Sequence, residues 1–224
     1  MWTAAILAGG QARRLGGRDK SALRVGADSI LDRQLAVLGT LTPHILIVGS
    51  AYAKASADKS ADAKASADTS AVARASADKG RTNVRVVEDR IAGAGALGGL
   101  YTALIDAPTE QVLVIACDMP FISAPFLTAL ARLGAGVEAA IPRDGHGPHP
   151  LCASYQRGVA ARLRTRIDAG MLRIADALRE LEVRDIGPDE LSPFDPDGRL
   201  LLNVNTPADY ERARRAAGGE TPPA

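Results

Sequence analysis

The sequence predicts an α/β fold, a doubly wound, mostly parallel and partly mixed sheet with helices on both faces. Apolar runs rich in β-branched residues recur at 3–7, 44–48, 84–87, 111–116 and 138–141. Segments with helical spacing of apolar residues fall between most of them, at 29–38, 97–105 and 125–133. Strands that read as near-continuous apolar runs are buried on both faces, and the crossover helices between parallel neighbours supply the cover. The 224 residues, 46% hydrophobic, suffice for one sizeable core. One domain over 1–217 is therefore expected, with 218–224 as a flexible tail.

Taken in order, the run at 3–7 opens the sheet and leads straight into Gly9-Gly10, and 29–38 forms the first clear helix. Between the strands at 44–48 and 84–87 lies 54–79, which repeats Ala-Ser-Ala-Asp at 55–58, 65–68 and 75–78. The repeat has no hydrophobic face, so it cannot stack as a solenoid, and its Ser and Asp residues compete for backbone hydrogen bonds. A mobile low-complexity insertion is expected there, with an ordered functional arm as the alternative. After 138–141 the alternation stops. Runs at 151–155, 183–186 and 200–204 read as further strands, so the later part of the sheet is expected to be mixed. Thr206, Pro207 and Asp209 supply the cap, first residue and capping-box partner of a last helix.

Composition narrows the function. With 27 basic and 26 acidic residues and a net charge of +1, the chain lacks the basic footprint of a nucleic-acid binder, so no nucleic-acid partner is expected. Residues 1–8 have no basic flank and too few apolar residues for a signal peptide or a membrane span. A cytoplasmic protein without a membrane partner is expected. Cys117 and Cys152 are too few for a disulfide scaffold and lack paired metal-ligand spacing, so both are read as reduced and buried.

The most informative stretch is Leu7-Ala8-Gly9-Gly10-Gln11-Ala12-Arg13-Arg14-Leu15-Gly16-Gly17-Arg18-Asp19-Lys20. Glycines directly after a strand let the backbone approach a triphosphate, and successive N–H groups can wrap its oxygens. Arg14 offers a planar fork of donors and Lys20 a compact charge, so the two can hold different phosphates. The spacing is not that of a Walker A loop. A surface glycine turn with solvated basic residues is the plainer alternative. The carboxyl end of a first strand, where α/β folds bind ligands, argues for a phosphate site.

This stretch closely resembles the signature of the molybdenum cofactor guanylyltransferase family, within the larger nucleotidyltransferase superfamily and its Rossmann-like fold. The similarity continues through Glu88-Asp89, Gly95-Ala96-Leu97-Gly98-Gly99-Leu100, Cys117-Asp118-Met119-Pro120, His149-Pro150-Leu151 and Asn203-Val204-Asn205-Thr206-Pro207. It covers nearly the whole chain apart from the insertion and the tail. The resemblance implies transfer of GMP from GTP to the terminal phosphate of molybdopterin or molybdenum-molybdopterin, with pyrophosphate released. It implies Leu7, Ala8, Gly9, Lys20, Asp89 and Asp118 as nucleotide-site positions and Mg²⁺ on Asp118; with the reading of the glycine-rich stretch, Gly10 joins the nucleotide site and Arg14, Lys20 and Asp118 form the expected catalytic set. Molybdoenzymes or their chaperones are the onward partners such a product would have.

The residues themselves support parts of this. Asp118 falls two residues beyond an apolar strand, and Met119-Pro120 ends that strand. Mg²⁺ takes only one or two carboxylates and keeps several waters, so one Asp there can suffice; a helix cap after Pro120 is the alternative. Asn205 is the second candidate metal ligand by resemblance to the wider superfamily. Asn203 and Asn205 alternate and so would share a strand face, and fixing the turn into the last helix is their other role. Asp89, at the end of the 84–87 run, reads equally as a solvated loop acid. Val48 stands where the family often carries Asn and offers no side-chain donor or acceptor, which leaves CTP, or another phosphorylated acceptor, as an alternative.

Two further patterns compete. Gly93-Ala94-Gly95-Ala96-Leu97-Gly98 fits G-x-G-x-x-G, the fingerprint of an NAD-linked oxidoreductase, but Arg90-Ile91-Ala92 separates it from the preceding strand and Glu88-Asp89 would face a pyrophosphate. A nucleotide-binding protein without catalysis is a third reading. His146 and His149 lie in a proline-constrained loop, where the resemblance makes His149-Pro150-Leu151 a wall of the acceptor pocket. Arg162, Arg164, Arg166 and Arg173 could attract an anionic acceptor or form a solvated helix face.

Overall fold

A computed structural model of the chain describes residues 1–8, 23–49 and 83–218. Strand β1 spans Thr3–Leu7, and a short antiparallel pair, β2 (Arg24–Val25) and β3 (Asp28–Ser29), leads into helix α1 (Ile30–Leu38). Then come β4 (His44–Val48), β5 (Asn83–Val87), α2 (Gly95–Asp106), β6 (Gln111–Ala116) and α3 (Ala124–Leu133). The later half holds β7 (Ala139–Asp144), β8 (Gly147–Pro148), β9 (Cys152–Gln156), α4 (Ala160–Asp168), α5 (Ile174–Leu178) and β10 (Val183–Ile186). Helices α6 (Pro188–Leu191) and α7 (Pro207–Ala217) complete the described chain.

The main sheet runs β10-β7-β9-β6-β1-β4-β5, with β8 paired to β7. Along this path β9 alone runs against the others: it is antiparallel to both β6 and β7, whereas the remaining neighbours are parallel. The expected mixing of the later sheet comes from this strand and from the two-residue β8, which is antiparallel to β7. Alternate residues of the central strands enter opposite cores, as a period of two requires. Ala4, Ile6, Ile45, Ile47, Leu113 and Ile115 pack with α1 and α3 on one side. Ala5, Leu7, Leu46, Val48, Val112 and Val114 pack with α2 and α4 on the other. Both faces are covered, so the carboxyl edge, where β1, β4, β5, β6 and β7 all end, is where backbone and polar groups are left to meet a ligand.

The strand expected at 200–204 does not form. Asp195 Oδ1 accepts the N–H groups of Arg199 at 2.7 Å and Leu200 at 2.9 Å, which bends the chain and diverts donors that a ladder would use. The apolar residues are still buried, with Leu200 and Leu201 in the core beneath α1 and α3. The spacing of that segment reported burial rather than strand pairing. α7 begins as expected, with Thr206 and Asp209 exchanging both capping-box bonds and Pro207 in its first turn.

Candidate active site

Asp118 is carried to the carboxyl edge by the end of β6 and held there from several sides. The Cys117 N–H donates to the Leu7 carbonyl at 3.2 Å, which joins the end of β6 to the end of β1. Gln34, fully buried on α1, donates its side-chain amide to Ala116 O at 2.8 Å and to Met119 O at 3.0 Å, so one side chain clamps the backbone on both sides of Asp118. Arg33 Nε donates to Pro120 O at 2.9 Å. The Asp118 residue is half-buried and its Oδ1 oxygen lies wholly out of solvent. Its own carbonyl accepts the Val204 N–H at 2.9 Å, which ties the Asn203–Asn205 segment to the Asp118 main chain without a strand. Asn203 and Asn205 flank the fully buried Val204 and both line one cavity, so they share a side as expected although no strand carries them.

On the other flank, the Ala8 N–H continues the β1–β4 ladder to Val48 O at 2.7 Å, and the Gly49 N–H reaches Val87 O at 3.0 Å. Leu7 and Asp89 converge over α2 at Gly99, where an added Cβ would lie 3.5 Å from a Leu7 methyl and 3.8 Å from Asp89 Oδ1. Leu7, Ala8 and Asp89 thus border one corner of the edge and Asp118 with Asn205 another. Val48 is 1% exposed and its side chain belongs to the α2 core, so it does not face a ligand at all. Gly9, Gly10, Arg14, Lys20 and the insertion at 54–79 lie outside the described residues.

The G-x-G-x-x-G stretch has a structural account of its own. Residues 88–94 stand between the end of β5 and the start of α2, so there is no tight strand-to-helix turn for a dinucleotide. Gly93 and Gly95 have φ of +78° and +56°, which side chains other than glycine rarely adopt. Gly98 packs under Ala94, whose Cβ would be 2.7 Å from one added at position 98.

Beside Asn205 opens a cavity of about 600 Å³ between the turn at 144–149 and the segment 195–216. Asn203, Asn205, His146, His149, Arg212 and Arg215 are among its lining residues. His149 Nε2 sits 2.9 Å from Asp144 Oδ2, and the His146 N–H donates to Asp144 Oδ1 at 2.8 Å. Burial pushes the Asp144 carboxyl up, but the His146 N–H and the His149 ring together outweigh it, and the group ionises below its usual range. Asp209 behaves alike: burial opposes its charge, while Thr206, the Asn205 N–H and Arg212 favour it and win. Arg162, Arg164, Arg166 and Arg173 do not line this cavity; they pair with Glu138, Asp168, Glu180 and Asp176 respectively. Neither Cys117 nor Cys152 is in a disulfide and both are buried, as expected.

For Mg²⁺ the donor chemistry at this corner is suitable. A carboxylate held at a strand end and an amide side chain alongside are hard oxygen donors, and a cation that keeps most of its waters needs no larger protein cage. Among the described residues no cluster of three or more His, Cys, Asp or Glu side chains could hold a metal by itself. Sequence reasoning missed two parts of the site. Gln34 had a visible signal, since it interrupts an otherwise apolar stripe of Ile30, Leu31, Leu35 and Leu38. The Asp144–His149 pair had only the turn between them.

The chain matches the family model for the MobA-like NTP transferase domain over residues 4–183. A probable molybdenum cofactor guanylyltransferase of Chloroflexus aggregans is 34% identical over 97% of this chain and 96% of its own. Another, from Pelotomaculum thermopropionicum, is 30% identical over 95% of this chain and 91% of its own. Among solved structures, molybdopterin-guanine dinucleotide biosynthesis protein A from Archaeoglobus fulgidus superposes with a TM-score of 0.73 at 25% identity, covering 98% of this chain and all of that one. The fold alone is shared with 4-diphosphocytidyl-2C-methyl-D-erythritol synthase from Anaerococcus prevotii, at a TM-score of 0.66 and 12% identity over 97% and 96% of the two chains. With its sheet order, its carboxyl-edge aspartate and its matched sequence in agreement, the chain belongs to the MobA-like NTP transferase domain family.

Proposed function

We propose that this protein is a cytoplasmic molybdenum cofactor guanylyltransferase, which transfers GMP from GTP to the terminal phosphate of molybdopterin and releases pyrophosphate. The observation that carries the reading is the pairing of Asp118 with the Asn203–Asn205 segment at the carboxyl edge, next to a cavity large enough for a second substrate. Among the described residues no helix is long and apolar enough to cross a membrane. Molybdoenzymes or their chaperones would receive the product.

In this reaction a phosphate oxygen of the acceptor attacks the α-phosphorus of GTP in line with the bond to the β-phosphate. That bond breaks, and pyrophosphate leaves with its electron pair. Both reactants are anions, so catalysis is mainly neutralisation and alignment. No general base is needed, because a phosphate monoester is already ionised near neutral pH. Arg14 and Lys20 are assigned to triphosphate charge, and Leu7, Ala8, Gly9 and Gly10 to main-chain contacts with the nucleotide. Asp118 and Asn205 would hold Mg²⁺, which when bound supplies charge neutralisation at the phosphates. Asp89 borders the nucleotide from the α2 side. With Val48 packed in the core, guanine would be read through main-chain groups.

The test is pyrophosphate release from GTP, CTP, ATP and UTP, with purified molybdopterin or a sugar phosphate as acceptor. Release from GTP with molybdopterin alone is expected. Preference for CTP would replace guanylyl by cytidylyl transfer, and turnover with the sugar phosphate would move the protein to another branch of the superfamily.

A further inference from the structure

The Asp209 carboxylate makes more bonds than a helix cap requires. The capping box accounts for the Asp209 N–H donating to Thr206 Oγ1 at 3.1 Å and for the Thr206 N–H donating to Asp209 Oδ2 at 2.9 Å. The same Oδ2 also accepts the Thr206 hydroxyl at 2.9 Å and the Asn205 N–H at 3.1 Å. The other oxygen, Oδ1, meets Arg212 Nη2 at 3.0 Å. Asn205 is therefore held between two anchors, Val204 to the Asp118 carbonyl on one side and its own N–H to Asp209 on the other. The Asp209 cap also joins Asn205 to Arg212, two residues of one cavity wall.

From this geometry we infer that Asp209 is a positioning residue, which sets Asn205 against Asp118 and so tunes the affinity of the site for its divalent cation. The inference rests on the reading that Asn205 helps hold that cation. Partners behind a metal ligand orient it, and losing one costs about 10–100-fold in metal affinity. Thr206 supplies the comparison: its hydroxyl serves the cap and gives one of the bonds to Asp209 Oδ2, whereas the Asn205 N–H is bonded to that oxygen directly.

Four variants of the full chain separate these roles: Asp209→Ala, Asp209→Asn, Thr206→Ala and Asn205→Ala. Mn²⁺ binding is measured from the free-ion paramagnetic resonance signal in the presence of α,β-methylene-GTP, which cannot turn over, and thermal melting is recorded in parallel. Asp209→Ala is expected to weaken Mn²⁺ binding about 10-fold, the lower end of that range. Asp209→Asn, whose amide oxygen can still accept the Asn205 and Thr206 N–H groups, recovers most of that loss. Thr206→Ala lowers the melting temperature comparably but costs clearly less Mn²⁺ affinity than Asp209→Ala, because the carboxylate that accepts the Asn205 N–H is still present. Equal loss of Mn²⁺ affinity in Asp209→Ala and Thr206→Ala, or none in Asp209→Ala while Asn205→Ala weakens binding, overturns the inference and leaves the metal reading intact. Unchanged binding in Asn205→Ala overturns the metal reading itself.

Discussion

Replacing Gln34 by Met removes both donors that clamp the Asp118 turn while keeping an unbranched side chain of similar size. Gln34 is fully buried on α1 and bonds Ala116 O and Met119 O at 2.8 and 3.0 Å. Each buried acceptor that loses its partner costs ~1–3 kcal/mol, and burying the thioether in place of an amide returns ~1–2 kcal/mol. The net loss is then ~2–3 kcal/mol, or a fall of roughly 5–10 °C in Tm for a chain of this size. The functional effect should exceed the thermodynamic one, because displacement of a catalytic group by about 1 Å can cost about 100-fold in rate. The assay is urea denaturation at constant m-value, with pyrophosphate release measured well below both melting temperatures as Mg²⁺ is varied. We expect a higher Mg²⁺ concentration to be needed for half-maximal rate, and a kcat lowered at least tenfold. Wild-type stability, or lost stability with unaltered kcat and Mg²⁺ response, would refute the clamp.

Asp118→Asn should keep the fold and lose most turnover, since a neutral amide is a poorer ligand for Mg²⁺; near-normal rates at saturating Mg²⁺ would take Asp118 out of the metal site. Lys20→Ala should lower kcat/KM for GTP by ~2–3 kcal/mol, the scale of a charge-assisted contact in a preorganised site, and an unchanged kcat/KM would mark a solvated lysine. Gly134→Ala should destabilise by ~1–3 kcal/mol through overpacking: its φ is ordinary at −84°, but the new methyl would overlap the buried Ser154 hydroxyl and lie 2.5 Å from Ser154 Cβ. A stable Gly134→Ala protein would contradict that packing. Burial pushes the Cys152 thiol up to about 12 from an ordinary 9.0. The folded state therefore keeps a proton that the unfolded chain gives up, so this contribution is intact below about pH 9 and fades as pH rises towards about 12. Alkaline melts of wild type and Cys152→Ala should differ in slope only in that window, and parallel slopes would reject the shift.

The parts legible in the sequence are those whose signal is local. Thr3–Leu7 and Gln111–Ala116 read as buried strands because both faces of each are apolar, and Asp118 was found because it directly follows one of them. Residues 200–204 carried the same apolar density for a different reason: Leu200 and Leu201 fill the core from a turn that Asp195 holds. Composition cannot separate these cases, because burial selects side chains while ladder pairing depends on where the backbone donors go. The cavity beside Asn205 was largely hidden for a related reason. Its walls come from 144–149 and 195–216, and no spacing within either segment announces the other. The arginines of α4 were conspicuous as a run, yet carboxylates from distant segments take up Arg162 and Arg166.

The topology also sharpens what removal of 54–79 should do. β4 and β5 are parallel neighbours, in register from His44 with Asn83 to Val48 with Val87. Any connection between them must return from the carboxyl end of one to the amino end of the other, at least ~17 Å along the strands at ~3.3 Å per residue. Parallel crossovers normally need about a dozen residues or more, although an extended chain could bridge the gap with fewer. Deletion of 54–79 leaves 49–53 and 80–82, so a Gly-Ser link of about six residues restores a connection of ordinary crossover length. The removed stretch has little apolar surface to offset the entropy of ordering it, and loop closure changes only with the logarithm of length. This variant should keep its melting temperature and its pyrophosphate release. A link of about two residues brings the connection below the usual crossover length and should melt earlier, with the β4–β5 edge losing hydrogen-exchange protection first. Limited trypsin treatment of the native chain should cut among Lys54, Lys59, Lys64, Arg74 and Lys79 before the core strands. A folded long-link variant without activity would make the segment a functional arm, because the sheet around it would be intact and only the missing residues could account for the loss.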